Sequence, residues 1–224
     1  MVVEHKNSDQ HLIDSKTNGS SWKIWLKRLW KSKTGTVGLL VIFIVILTAI
    51  LAPVLAPFNP NEIDPEKMLV PPFWSEGGSI EHLLGTDNLG RDILSRILYG
   101  SRVSLLVGIS SVVLAGILGV FIGLISGYYG GFLDTILMRI VDAFLAIPNI
   151  LFALVFLAVF GPSVVTLIFV LGITNWVSYA RIVRGETLSV KEREFVKAAR
   201  AIGVKNMMII MRHILPNVIS SFIV

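Results

Sequence analysis

Cysteine is absent from the 224 residues of this chain, and charged residues are scarce, at 16%. Without thiols the chain can form neither a disulfide framework nor a cysteine-ligated metal site. A soluble domain carries about 25% charged residues, whereas this chain is 54% hydrophobic and has a mean hydropathy of +0.74. These figures exclude a soluble globular protein and make the distribution of the apolar residues the first question.

Motifs of catalysis and nucleotide binding are also missing from the sequence. There is no G-x-x-x-x-G-K-[ST] phosphate loop, no H-E-x-x-H zinc motif and no G-x-S-x-G nucleophile elbow. The four histidines are too scattered to space as a metal site: His5, His11, His82 and His213. We therefore predict no enzyme active site, no cofactor and no bound metal.

Three uncharged runs of 28, 31 and 38 residues dominate the chain. Because a membrane-spanning helix needs about 20 predominantly apolar residues, they predict an all-α, polytopic helical membrane protein. We expect four complete spans, at 37–56, 103–127, 134–160 and 164–180, and the start of a fifth after Pro216. Pro148 should kink the third span. The short fifth segment suggests that the sequence is part of a longer protein.

Lysine and arginine counts in the connecting segments predict the orientation. Residues 1–33 hold 7 basic and 3 acidic residues and 181–217 hold 8 and 3, whereas 58–102 hold 4 and 7. The two basic segments should therefore be cytoplasmic and 58–102 outside, so the net charge of +5 reflects topology and not a nucleic-acid partner. The expected domains are a tail (1–33), an anchor helix (34–57), an extracytoplasmic loop (58–102) and a membrane core (103–224) that includes 181–217.

The polar segments before the first two membrane spans contain helical patterns. In the tail, SWKIWLKRLWK places three tryptophans on one face and predicts a basic amphipathic helix on an anionic membrane surface. The alternative is a simple positive flank with an aromatic belt. In the outer loop, LLGTDNLGRDILSRILYG predicts a short amphipathic helix with Thr86 or Asp87 as N-cap and Asp92 paired with Arg96.

Two features of the spans predict how the helices pack. Small residues recur every four positions in the second span: Ser111, Ala115, Gly119, Gly123 and Gly127. Such a stripe lets a neighbouring helix approach closely, and its drift of about 40° per step indicates that the partner crosses at an angle. In the third span, Arg139 and Asp142 are three residues apart and are predicted to form a structural charge pair.

The 181–217 loop combines many charges with an apolar helical face. That face consists of Phe195, Ala198, Ala199 and Ile202. Gly203 is a typical helix stop, and a second short helical pattern is predicted to end at Leu215-Pro216. Because nothing inside the loop is expected to cover the apolar face, the pattern is typical of a docking surface for a partner. The alternative is that both helices lie on the membrane.

The loop resembles the cytoplasmic motif of permease subunits of bacterial ABC importers, written EAA, three residues, Gly, nine residues, I-x-L-P. The matching positions are Lys197-Ala198-Ala199, Gly203 and His213-Ile214-Leu215-Pro216. Lys197 and His213 depart from the commonest residues, Glu and Ile, but the spacing is intact. GTDNLGRDILSRILYGSRVSLLVG at 85–108 and DTILMRIVDAFLAIPNILFAL at 134–154 resemble permeases of dipeptide, oligopeptide and nickel importers, the C-type subunit most closely.

The resemblance implies a type I importer permease of about six helices in a bacterial cell membrane. It implies that the loop helix is a coupling helix that transmits ATP-driven movement and alternates the access of the pathway. The residues implied in coupling are Glu194, Phe195, Lys197, Ala198, Ala199, Ile202, Gly203, Leu215 and Pro216. The implied partners are a second permease subunit in a heterodimer, two ATPase subunits and an extracytoplasmic substrate-binding protein.

Three other functions stay open at this point. A nickel or metal-complex permease of the same family has very similar motifs. An ATPase-independent secondary transporter would need ionisable groups or broken helices near the middle of the membrane. A membrane anchor or sensor without transport would leave the spacing of the loop motif unexplained.

Overall fold

The computed structural model describes residues 32–223, with the backbone alone for 220–223. Nearly all of the tail, including its predicted amphipathic helix, lies outside these residues. The described part is helical and contains no strand beyond an isolated bridge between Thr86 and Asp92, which confirms the all-α fold. The helices are α1 Lys33–Leu55, α2 Ile93–Tyr129, α3 Gly131–Ala146, α4 Asn149–Phe160, α5 Val164–Lys191, α6 Glu194–Ala201, α7 Asn206–Ile209 and α8 Leu215–Ile223.

Within residues 32–223, three helices are long and apolar enough to cross a membrane: α1, α2 and α5. A fourth span is formed if α3 and α4 are taken together, although they are bent by 84° at their junction. The bend falls at Ile147 and Pro148, both of which leave the helical conformation, because proline has no N–H to donate and restricts the residue before it. Pro148 was predicted to kink a single span, and the chain does change direction there, but the bend is a complete break that separates two helices.

The described residues divide into two compact units, 32–102 and 103–223. In the first unit, the predicted short amphipathic helix is not a separate helix: the residues from Ile93 onward form the start of the 37-residue α2, and those before it, including the predicted N-caps Thr86 and Asp87, are not helical. The N-cap is Asp92, whose side chain accepts a hydrogen bond from the backbone N–H of Ser95 at 2.7 Å. Asp92 also contacts the buried His82, with 3.0 Å between Oδ1 and Nδ1. Its predicted pairing with Arg96 is therefore wrong as well.

Asp87 organises the turn that precedes α2. Its carboxylate accepts hydrogen bonds from the backbone N–H groups of Leu89 and Arg91 and from the side chains of Arg91 and Arg96. The hydrogen bond from the Arg91 side chain contributes most to lowering the pKa of Asp87 to about 2, and the backbone N–H groups of Leu89 and Arg91 add to it. Gly90 has a φ of +75°, and a Cβ there would lie 1.8 Å from the carbonyl oxygen of Asp64. The turn is therefore fixed by one acid and by a glycine that no other residue can replace.

Replacing Asp87 with Asn should loosen this turn at neutral pH. The folded pKa of about 2 lies below the ordinary value of 3.8, so the ionised carboxylate stabilises the fold above pH 4 and this contribution disappears as the pH falls toward 2. Limited proteolysis of the 58–92 segment should be faster for Asp87→Asn at pH 7 and approach the wild-type rate near pH 2. Glu76→Gln, an exposed acid of the same segment without an ion pair among the described residues, should cleave like wild type. Equal rates for the two variants would contradict the role of Asp87.

In the second unit, the small-residue stripe of α2 lies against α5. A Cβ on Gly119 would stand 2.5 Å from Tyr179 Cβ, and one on Gly123 would stand 2.6 Å from the carbonyl oxygen of Ala180. Gly127 is equally tight against Thr187. The two earlier members of the stripe are buried as well: Ser111 and Ala115. Only a hydrogen atom fits at the three glycines, so the two backbones are in direct contact.

Candidate functional site

The candidate site is the short helix α6, which follows directly on the end of α5. A turn at Glu192 and Arg193 separates the two helices. Gly203, with a φ of +80°, ends α6, and the N–H of Val204 donates back to the carbonyl of Ala199 at 3.1 Å. This six-to-one bond defines a Schellman stop, which needs a left-handed residue that glycine adopts without steric cost. The expected helix stop at Gly203 is confirmed.

The apolar face of α6 is split between the interior and the surface. Val196 and Ala199 are buried, whereas Phe195 is 41% exposed and Ile202 is 82% exposed. The expectation that nothing in the loop covers this face is wrong for Ala199, because it packs in a cluster with Ile209 and Ile210 of the following segment. One half of the helix surface, with Val196 and Ala199, therefore anchors α6, whereas the predicted apolar face is exposed except at Ala199.

The segment after α6 is one nearly continuous helix and not a short helix that ends at Leu215-Pro216. The α-helix α7 passes into a π-helical turn, Ile210–Ile214, and then into α8. The N–H of Leu215 donates to the carbonyl of Ile210, five residues earlier. The predicted end at Pro216 is wrong because the wide turn lies directly before this proline, where the regular helical bond is already lost.

Two contacts join the α6 region to the end of α2. The Tyr128 hydroxyl lies 2.7 Å from Asn206 Oδ1 and donates to it. The Arg200 guanidinium lies 5.7 Å from the centre of the Tyr128 ring, within the range of a cation–π interaction. Tyr128 itself is buried in the same cluster as Val196. The base of α6 is thus attached to a membrane helix by packing, a hydrogen bond and a charge.

Ion pairs join α3 to α5 beside this region. Arg184 donates from Nε and Nη2 to the two carboxylate oxygens of Asp134, each at 2.6 Å. Ser126 of α2 also donates to Asp134, so the carboxylate connects three helices. Bidentate pairs of this kind fix geometry as well as charge.

The predicted charge pair within α3 is wrong. Asp142 pairs with Arg181 of α5 at 2.5 Å, and the described residues include no ion pair of Arg139. Pairing within one helix was plausible from the spacing, but α5 presents a closer guanidinium. This outcome leaves α3 attached to α5 by two separate carboxylates.

The other residues implied in coupling lie partly in the buried cluster that supports α6 and partly on its exposed surface. Glu194 is the first residue of α6. The exposed Lys197 forms an ion pair with Glu192, with 3.6 Å between Nζ and Oε2. Ala198 is exposed beside the buried Ala199. Leu215 packs against the buried cluster directly after the π-helical segment. The motif therefore contributes both to the support beneath α6 and to its surface.

The described residues form a polytopic helical membrane protein. Its short helix α6 is held by packing against the membrane helices α2 and α5. Residues 119–224 match the family model of binding-protein-dependent transport system inner membrane components, and residues 20–72 match the N-terminal TM domain of oligopeptide transport permease C. The chain belongs to this family of ABC-importer permeases, as a C-type subunit of its dipeptide and oligopeptide branch. It is a multi-pass inner-membrane protein, and its family consists of transport permeases and not of enzymes.

Curated relatives cover most of the chain. A dipeptide transport system permease protein of Haemophilus influenzae is 41% identical over 203 residues, 89% of this chain and 69% of that protein. A second dipeptide permease, from Alkalihalophilus pseudofirmus, is 43% identical over 211 residues, 94% of this chain and 67% of the relative. An oligopeptide permease of Bacillus subtilis is 37% identical over 210 residues, also 94% of this chain and 67% of that protein.

Sequence reasoning missed the parts of the site that depend on distant residues. Arg184 and Asp134 are 50 positions apart, and Tyr128 and Asn206 are 78 apart. For Arg184 the sequence does contain a signal, because a charged residue close to an apolar span is usually paired or functional. Nothing in the local pattern distinguished Tyr128 from the adjacent Tyr129.

Proposed function

We propose that this protein is one of two permease subunits that form the translocation pathway of an ATP-driven peptide importer. The supporting observation is α6, whose buried half is fixed to the membrane helices and whose other half exposes Phe195 and Ile202. A movement imposed on such a helix is passed to α2 through packing and a hydrogen bond, and to α5 through the short junction between α5 and α6. These contacts prevent α6 from moving independently of the two membrane helices. The partner that imposes it is a separate ATPase subunit, since the sequence has no phosphate-binding loop.

The proposed cycle alternates access to a pathway shared with the second permease. ATP binding closes a dimer of ATPase subunits, α6 follows that movement, and the membrane helices turn the pathway from one side to the other. An extracytoplasmic binding protein delivers the substrate. The N-terminal tail and residues 181–217 lie in the cytoplasm in this arrangement, consistent with their basic charge.

A peptide substrate is favoured over a nickel complex by the names of the relatives, which are dipeptide, di/tripeptide and oligopeptide permeases. A secondary transporter is disfavoured because it leaves the exposed half of α6 without a role.

Ile202→Asp should remove the ATPase from the purified complex. An aspartate at the centre of an apolar contact loses the burial energy and desolvates a charge, so we expect at least about a tenfold loss of copurified ATPase, equivalent to 1.4 kcal/mol. Ile80→Asp changes an equally exposed isoleucine, 85% against 82%, in the predicted outer loop. It should copurify the ATPase at the wild-type level. Full retention by Ile202→Asp would contradict docking at α6.

A further inference from the structure

A polar strip runs along the outward side of α5, away from the glycines of α2. Asn175 and Ser178 are exposed, and neither lies among the α5 residues that contact Gly119, Gly123 or Gly127. At 1.5 Å per residue, Asn175 lies about 17 Å from the start of α5, near the centre of a hydrocarbon layer about 30 Å thick. The Asn175 end of the strip therefore lies away from the membrane surface.

The hydrogen-bonding groups of this strip are only partly used. The Asn175 side-chain N–H₂ donates to the carbonyl of Leu171 at 2.8 Å, which leaves its oxygen without a partner among the described residues. The Ser178 hydroxyl makes no hydrogen bond to another described residue. Polar groups facing lipid without partners cost several kcal/mol each, so a lipid environment is unfavourable here.

The ion pair of Asp142 and Arg181 continues the strip by one turn. Both side chains are about half exposed, at 50% and 52%. In the proposed topology this pair lies at the cytoplasmic end of the span, so its exposed charges place water at that end of the strip. Water at that end, beside an open serine and an open amide, favours a hydrated strip over lipid on this side of α5.

We propose that Asn175 and Ser178 line the aqueous translocation pathway and contact the backbone of the transported peptide. This inference rests on the proposed function. An amide oxygen can accept from a peptide N–H, and a hydroxyl can donate to a peptide carbonyl. Contacts of this kind recognise the backbone that all peptides share and are independent of their side chains.

Single cysteines test the proposal directly, because the 224 residues contain none. Asn175→Cys and Ser178→Cys are placed in the full-length permease of the assembled transporter and treated with a charged, water-soluble methanethiosulfonate. The matched variant is Phe169→Cys, whose native side chain is 48% exposed but which lies nine residues from Ser178, on the opposite side of α5. Labelling is measured on this subunit after the subunits are separated, with unsubstituted permease as background.

We expect both strip cysteines to label at least about tenfold faster than Phe169→Cys, because the reactive thiolate forms in water and not in hydrocarbon. Saturating transported dipeptide should slow this labelling severalfold. Absence of labelling, labelling that dipeptide does not slow, or a cross-link from either cysteine to the second permease would each overturn the proposal. Dipeptide uptake by the unsubstituted transporter is measured separately, so its absence identifies a failure of the proposed function and not of the pathway assignment.

Discussion

Leucine in place of Gly123 should prevent normal assembly of the membrane core. The added Cβ alone would lie 2.6 Å from the carbonyl oxygen of Ala180 and 2.8 Å from Val183 Cβ. A backbone carbonyl cannot move aside as a flexible side chain can, so α2 and α5 must separate. We expect a loss of about 3 kcal/mol or more of stability. Thermal unfolding in mild detergent, and the amount of folded permease recovered from membranes, measure it.

Gly116→Leu provides the matched comparison for this experiment. It introduces the same side chain into the same helix, seven residues away, but a Cβ at Gly116 meets nothing within 4 Å. Its unfolding temperature should be close to or above that of wild type, because the new Cβ meets no neighbour. Both variants gain the same helix propensity, so this gain does not explain a difference between them. If the two leucine variants were equally stable, the close contact between α2 and α5 would be refuted.

Tryptophan in place of Gly203 should abolish dipeptide uptake while the permease still inserts into the membrane. A Cβ at Gly203 meets no atom within 4 Å, so the new side chain starts in open space. The φ of +80° strains any residue with a Cβ, at a cost of about 1–2 kcal/mol. The indole would also project beside Ile202, on the surface that the ATPase is proposed to contact. ATP hydrolysis should continue without substrate uptake.

Gly203→Ala separates these two effects. Alanine carries the same backbone strain without the bulk, so this variant should keep most of its uptake. Uptake is measured in vesicles that contain the complete transporter, alongside ATPase activity and the amount of inserted permease. Normal uptake by Gly203→Trp would refute the coupling role of α6, and an equal loss in both variants would assign the effect to strain.

Features encoded by a single residue or by a short period could be predicted from the sequence. The stop at Gly203 and the change of direction at Pro148 follow from backbone restrictions of one residue each. The three glycines of α2 follow from a four-residue period that places them on one side of the helix. In each case the cause lies within about one helical turn of its effect.

The partners of charged residues could not be predicted in the same way. Asp142 was assigned to Arg139, three positions away, but it pairs with Arg181, 39 positions away. Spacing along one helix shows which residues are neighbours on that helix, whereas the crossing of α3 with α5 decides which guanidinium comes closer. Asp92 was missed as the N-cap for a related reason, since its contact with His82 depends on the fold of the preceding loop.

The π-helical turn sets the rotational phase of the helix that follows α6. Ile210, Ile214 and Val218 are all buried although they are spaced by four residues, and in a regular α-helix each such step rotates the side chain by about 40°. A turn that accommodates more residues reduces this drift and keeps the three side chains directed at one cluster. Deleting a single residue between Ile210 and Ile214 would therefore let the turn return to a regular α-helix with little change of phase, whereas a deletion elsewhere in this helix would rotate everything downstream by roughly 100°.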